Sequence, residues 1–236
     1  MLRFARKVRL IEALPHFERL PELRKRPKEV LSNAEIERLI AAARQRGVDA
    51  LVIVLLALDV GMRVSELCAL QWQDIDLRAG TVIVQRNVYD GEEQTPKGMI
   101  GKIALSTALR SALVELRESA NHGALVLYRR SCHTGGEWAQ HTQGSIWNVL
   151  NQLQKKAGLK RFGPHLLRHT SLTRLANLGA SPYVIQAVAR HTHLQTTQAY
   201  LHTQQTGLSR EAATLLDRAA ETSGFGNALA TRATPA

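Results

Sequence analysis

The sequence predicts a mainly α chain with one small antiparallel β-sheet, an α+β fold. Three observations predict it. Most apolar residues recur at three- and four-residue spacing between recognisable helix caps. One stretch, near residues 80–105, instead alternates β-branched residues and carries turn signals, the pattern of short paired strands. No apolar run approaches the roughly 20 residues of a membrane-spanning helix. The longest, Leu51 to Leu58, reads as a buried helix. With 236 residues the chain can bury one large core or two small ones.

Residues 1–31 are a basic lead-in with nine Lys or Arg against four Glu. Pro15, Pro21 and Pro27 interrupt it, so it reads as an extended linker able to lie along a phosphate backbone. Lys25, Arg26 and Lys28 are its candidate DNA contacts. The alternative is a solvated charged tail.

Ser32-Asn-Ala-Glu35 is a capping-box pattern. Ile36, Leu39, Ile40 and Ala43 follow at helical spacing, and Gly47 ends that helix. Asp49 to Asp59 is a second, strongly apolar helix. Gly61-Met62-Arg63 reads as a tight turn, and Val64 to Leu70 as a third helix. Gly80 to Gln85 reads as a strand. Asp90-Gly91 and Thr95-Pro96-Lys97-Gly98 read as turns, and Lys102 to Leu105 as a further strand. Ser106 opens a helix to about Ser119, and Leu125 to Leu127 is a short strand edge. Gly135-Gly136 lies in a loop. Thr142 caps a helix to Ala157, with Ile146, Val149, Leu150 and Leu153 on one face. Pro164 opens the next helix, which Gly179 closes. Ser181-Pro182 is a cap followed by proline at the first helical position. That helix runs to about Ala189, Thr196 to His202 is another, and Leu208 to Ala220 is a last amphipathic one. Residues 221–236 are small and polar and read as a disordered tail.

Charge narrows the partner. A formal net charge of +11 and a pI near 10.3 point to a polyanion, nucleic acid first and an anionic membrane surface second. Residues 1–20 mix charged and apolar groups and lack the apolar centre of a signal peptide. Cys68 and Cys132 give neither a disulfide framework nor metal-type spacing, so a reducing, cytoplasmic compartment is expected.

Six groups suited to phosphate chemistry then stand out in four separate segments. Arg63 follows a glycine turn at a helix start, with Glu66 one turn on to fix its guanidinium; the alternative is an ordinary surface salt bridge. In Gly163-Pro-His165-Leu-Leu-Arg168-His169, His165 and Arg168 are i and i+3 and share a helix face. A proton-moving histidine beside an arginine suits phosphoryl transfer; His169 is off that face and reads as structural. His191 and Tyr200 lie nine residues apart. Lys97, in a turn between strands, is the weakest of these signals taken alone. A tyrosine hydroxyl is a weak nucleophile with a pKa near 10, so it attacks phosphorus only where other groups hold the phosphate and manage protons.

Taken together, the ordered set Arg63, Lys97, His165-x-x-Arg168, His191 and Tyr200 resembles the catalytic domain of the tyrosine recombinases, the phage-integrase family. Gly-x-Arg-x-x-Glu-Leu, His-x-Leu-Arg-His and His-x4-Thr-Thr-x2-Tyr carry the resemblance, which covers about residues 27–220, with the catalytic domain expected over residues 32–220. One departure is Ala189-Arg190-His191 where the family has Leu-Gly-His. Arg190 in place of glycine predicts either an altered turn or a further cation facing DNA. The family also carries an N-terminal helical domain. The lead-in here is similar to an interdomain linker, so the chain is expected to be the catalytic fragment of a longer recombinase.

The resemblance implies the roles. Tyr200 attacks the scissile phosphate and forms a 3′-phosphotyrosine, releasing a 5′-hydroxyl. Arg63 and Arg168 hold the non-bridging oxygens, His165 takes the tyrosine proton, His191 donates to a phosphate oxygen, and Lys97 protonates the leaving oxygen. Glu66 orients Arg63. The phosphotyrosine conserves the bond energy, so neither metal nor ATP is expected as cofactor. The partner implied is double-stranded DNA, with a homotetramer on paired sites and a monomer in free solution. The alternatives are a topoisomerase-like nicking and resealing enzyme, a DNA-binding module without catalysis, and a metal-dependent nuclease.

Overall fold

A computed structural model describes Val8 and residues 29–89, 91–94, 98–119, 123–130 and 136–201. Lys97, the lead-in residues Lys25, Arg26 and Lys28, the helix expected over 208–220 and the tail over 221–236 lie outside the described residues.

The fold is mainly helical with small antiparallel sheets. Helix α1 (Asn33–Arg46) starts at Ser32, whose hydroxyl accepts from the Glu35 N–H while the Glu35 carboxylate accepts from the Ser32 N–H, the expected capping box. Helix α2 (Val48–Asp59) is buried from Ala50 to Leu58 and forms the centre of the molecule. A helix apolar all round needs neighbours all round. It has them in α1, in α3 (Val64–Ala69), in α4 (Thr107–Ser119), in α5 (Gln143–Lys156) and in α6 (His165–Asn177). Helices α7 (Pro182–Ala189) and α8 (Leu194–Leu201) complete the described chain. Thr142 and Ser181 cap α5 and α7 by accepting from Ser145 and Val184 N–H groups, as their sequence patterns predict.

The expected sheet is present. Strands β1 (Ile75–Asp76), β2 (Thr81–Val84) and β5 (Gly101–Ala104) pair antiparallel in the order β1-β2-β5, with Val82 opposite Ile103. Two hairpins go beyond the sequence reading. Strand β3 (Asn87–Tyr89) pairs with β4 (Glu92–Gln94), and β6 (Tyr128–Arg130) pairs with β7 (Trp138–Gln140). Leu125, expected within a strand edge, makes only an isolated antiparallel bridge to Gln71.

One apolar cluster spans α1 to α6, and a smaller one joins Leu172, Ala176, Ile185 and Ala189 of α6 and α7. The second cluster matters for position, because Tyr200 of α8 packs against it. Among the described residues no helix is long and apolar enough to cross a membrane.

Candidate active site

Gly61, at φ +62°, turns the chain between α2 and α3 in a conformation that favours glycine. The turn delivers Arg63 to the start of α3, where Glu66 accepts from its backbone N–H at 2.8 Å and from its Nη1 at 2.7 Å. The Arg63 side chain keeps a quarter of its surface exposed, whereas Glu66 is 2% exposed. Burial pushes the Glu66 carboxyl up. The opposing pull of Arg190, then of the Arg63 backbone and guanidinium, brings it below the usual carboxylate range.

Arg168 comes from the first turns of α6 and is buried. Its Nη1 donates to the Gly61 carbonyl at 2.5 Å and its Nη2 to the Ala189 carbonyl. One side chain thus ties the α2–α3 turn to the end of α7. Burial, with Arg63 and Arg190 nearby, pushes its pKa down to about 10, against the pull of Glu66 and Tyr200. It is still a cation at neutral pH.

His191 follows α7 and is buried, with Nδ1 3.1 Å from Thr197 Oγ1. Burial first, and then Arg168, Arg63 and Arg190, push its pKa down to about 4, so the ring is neutral at physiological pH. Tyr200 is half-buried. Its ring centroid lies 6.3 Å from that of His191, with the planes 24° apart, and 5.1 Å from that of His169. Burial raises the phenol pKa, and Arg168 and Arg63 partly offset the rise. The phenol is therefore protonated at neutral pH.

The structure thus gathers Arg63, Glu66, Arg168, His191 and Tyr200. His165 sits at the exposed start of α6, beside a cavity of about 230 Å³ shared with Val64, Gln143, Gly144, Trp147 and Pro164. It and Arg168 therefore differ in burial although they are one helical turn apart. His169, read from the sequence as structural, packs on Tyr200 because α8 crosses a face of α6 that the spacing within α6 does not reveal. Among the described residues no three His, Cys, Asp or Glu side chains come together in a metal-ligating group.

Arg190 requires a correction. As a DNA contact it would have to face solvent, but it is 1% exposed and its Nη2 donates to Glu66 Oε2 at 2.6 Å. Its other bonds go to the carbonyls of Val60, Gly61 and Val188. At this turn Arg190 takes φ 54° and ψ 40°, the left-handed conformation that suits glycine. A long cation can follow the turn and point inwards, because a buried carboxylate waits there.

Buried imidazoles make a stability prediction. His141 is pushed down to about 4 by burial, with Asp49 opposing and Arg129 and Arg46 assisting. His191 is depressed to the same range. The unfolded rings bind protons near pH 6.5, where the folded ones do not. Stability present above about pH 6.5 is therefore lost as pH falls toward about 4. Thermal melts between about pH 7 and 4.5 should show a falling Tm, and His141→Gln or His191→Gln should flatten that slope. A Tm independent of pH over this window would contradict it.

A profile of the phage integrase family matches residues 29–206. A tyrosine recombinase XerC of Oceanobacillus iheyensis is 36% identical over 143 residues, which are 60% of this chain and 45% of that protein. A crystal structure of XerA recombinase superposes with a TM-score of 0.58 at 27% identity, covering 78% of this chain and 64% of the other. The Tn1549 transposon integrase, in complex with transposon right end DNA, superposes at 0.67 with 21% identity, covering 81% and 68%. The chain spans about half the length of curated relatives that it matches. With three quarters of its residues inside the family profile, and with the fold of solved recombinases, the chain belongs to the phage integrase family.

Proposed function

We propose that this chain breaks and rejoins DNA strands as a site-specific recombinase, through a covalent 3′-phosphotyrosine at Tyr200. One observation carries the reading: the half-buried Tyr200 ring lies 6.3 Å from the His191 ring in the cluster that holds Arg63 and Arg168, whose positive charge opposes the rise that burial gives its pKa. Among the described residues, Glu66 pairs with Arg63 and Arg190 while Arg168 lies close enough to feel all three, so the cluster holds positive charge that a scissile phosphate would neutralise.

The proposed roles follow from that chemistry. Tyr200 Oη attacks phosphorus in line, the bond to the 5′-oxygen breaks, and attack by a 5′-hydroxyl reverses the step. Planar forks from Arg63 and Arg168 suit the non-bridging oxygens of a phosphorane-like transition state. His165, exposed at the start of the helix that carries Arg168, is the proposed acceptor of the tyrosine proton. With the His191 ring neutral, a Thr197 hydroxyl donating to Nδ1 leaves Nε2 protonated and able to donate to a phosphate oxygen. Lys97 is the proposed acid for the leaving oxygen.

The net charge of +11 supports duplex DNA as the partner. So does the likeness to an integrase seen with transposon right end DNA. Assembly as a tetramer on paired sites, and a monomer off DNA, belong to the same proposal, as does a cytoplasmic location.

Nicked duplexes drawn from the flanks of the encoding locus test it. A nick beside the scissile phosphate lets the released 5′-hydroxyl fragment diffuse away and traps the covalent complex. A band that survives denaturant is the expected result. DNA affinity should fall roughly 10³–10⁵-fold from 50 to 200 mM salt, the loss for about 6–10 phosphate contacts. Affinity that ignores salt, with no covalent species on any such duplex, would overturn the reading.

A further inference from the structure

We infer that Arg190 is a positioning residue of this site: its guanidinium holds Glu66, and through Glu66 it sets the direction of the Arg63 fork. The inference rests on the strand-breaking reading above. The geometry is a chain of short contacts. Arg190 Nη2 lies 2.6 Å from Glu66 Oε2, and the other carboxylate oxygen lies 2.7 Å from Arg63 Nη1. The same Oε2 also accepts from the Arg63 backbone N–H. Glu66 therefore joins one guanidinium that is sealed in the core to another that is a quarter exposed.

The surroundings are shaped for Arg190. A Cβ on Gly101 would lie 2.9 Å from Arg190 Cγ and 3.0 Å from Cδ, so β5 passes close only because residue 101 lacks a side chain. The stem has no free space to retreat into, being 1% exposed. Its left-handed backbone is a conformation that costs any residue with a Cβ free energy, so the inward contacts must offset it. The Arg190 carbonyl accepts from the Met99 N–H at 3.2 Å. A Cβ on Gly98 would collide with that carbonyl and lie 3.4 Å from Arg63 Nη1. Arg190 thus also anchors the segment that runs beside Arg63 into β5.

Without Arg190, Glu66 would be a buried carboxylate facing Arg63 from its own turn and Arg168 from α6, with its largest stabilising cation gone. Its affinity for a proton should rise, and a protonated Glu66 grips Arg63 less firmly.

Arg190→Met keeps the stem against Gly101 and removes the charge; Arg190→Lys restores the charge. In the free protein, 13C-carboxyl NMR should show Glu66 titrating higher in Arg190→Met by about one unit, a tenfold change in proton affinity. The Arg63 guanidinium signals should lose their rotational restraint below that pH. Arg190→Lys should return both toward the wild type. On a trapping duplex, Arg190→Met should keep its DNA affinity and cleave about ten- to a hundredfold more slowly, the scale of losing a group that orients a reacting one. The loss of orientation should be present at neutral pH and deepen as pH falls, because a protonated Glu66 grips Arg63 less firmly than an ionised one. An unshifted Glu66 with Arg63 still held would overturn the inference. So would a cleavage loss equal at every pH that tracks the melting temperature. The NMR readouts need no DNA, so absence of wild-type cleavage would count against the strand-breaking reading alone.

Discussion

Tyr200→Phe should abolish covalent attachment to DNA while leaving the fold and DNA affinity nearly unchanged. The substitution removes one oxygen and keeps the ring, and the ring is what packs against Leu172, Ala176, Ile185 and Ala189. Loss of activity without loss of Tm would therefore locate the effect in chemistry, not packing. Mass spectrometry of a trapped wild-type complex should find the DNA on the Tyr200 peptide, joined through a 3′-phosphate. The other tyrosines make a fair control, since Tyr183 and Tyr89 are far more exposed than Tyr200. If accessibility chose the nucleophile, they would be labelled first. Under the proposed function the choice is made by the surroundings of Tyr200, where the charge of Arg168 and Arg63 partly counters the burial that raises its pKa. Attachment at Tyr183, Tyr89 or Tyr128 would refute the assignment, and so would a covalent complex formed by Tyr200→Phe.

Much of the fold was legible because its punctuation is local. Ser32, Thr142 and Ser181 are caps whose partners lie three residues on, so spacing alone finds them. The hairpins over 87–94 and 128–140 escaped because their strands carry no apolar alternation. Glu92–Gln94 is exposed throughout and is paired with β3 beside an Arg86–Glu93 ion pair at 3.2 Å. In the β6–β7 hairpin Arg130 lies over the Trp138 ring at 4.4 Å, a contact no periodicity announces.

The site divides in the same way. Arg63 with Glu66, and His191 with Thr197, are close in sequence, and their motifs expose them. The inward turn of Arg190 is long-range: its partner lies 124 residues away, and charge does not reveal whether a side chain faces solvent or a buried carboxylate. The readable clue was conformational. A position that suits glycine holds an arginine, and a left-handed residue with a long side chain needs contacts to offset its backbone. The packing of His169 on Tyr200 is likewise long-range, because a helical face is defined by what packs on it, and α8 supplies that only in three dimensions.

The last expected result separates the two kinds of cation. An alkoxide leaving group needs a proton, since its parent alcohol resembles water with a pKa near 15.7. A thiolate does not, with a pKa of about 8.5. If Lys97 is the acid, Lys97→Ala should cleave normal DNA more slowly by roughly 10²–10⁴, the range for a lost general acid. Replacing the bridging 5′-oxygen at the scissile site with sulfur should restore most of that rate. Arg168→Lys gives the contrast. It keeps a charge but loses the planar fork, one arm of which bonds to Gly61 and the other to Ala189. Charge on the non-bridging oxygens builds whichever atom leaves, so sulfur should not rescue Arg168→Lys. Single-turnover cleavage of both substrates by both variants, with melting temperatures to remove any unfolded fraction, makes the comparison. If sulfur helps both variants equally, or neither, Lys97 is not the acid. The proton would then have to come from His165, from His191 or from water, and His191, with its pKa near 4, would be a poor source at neutral pH.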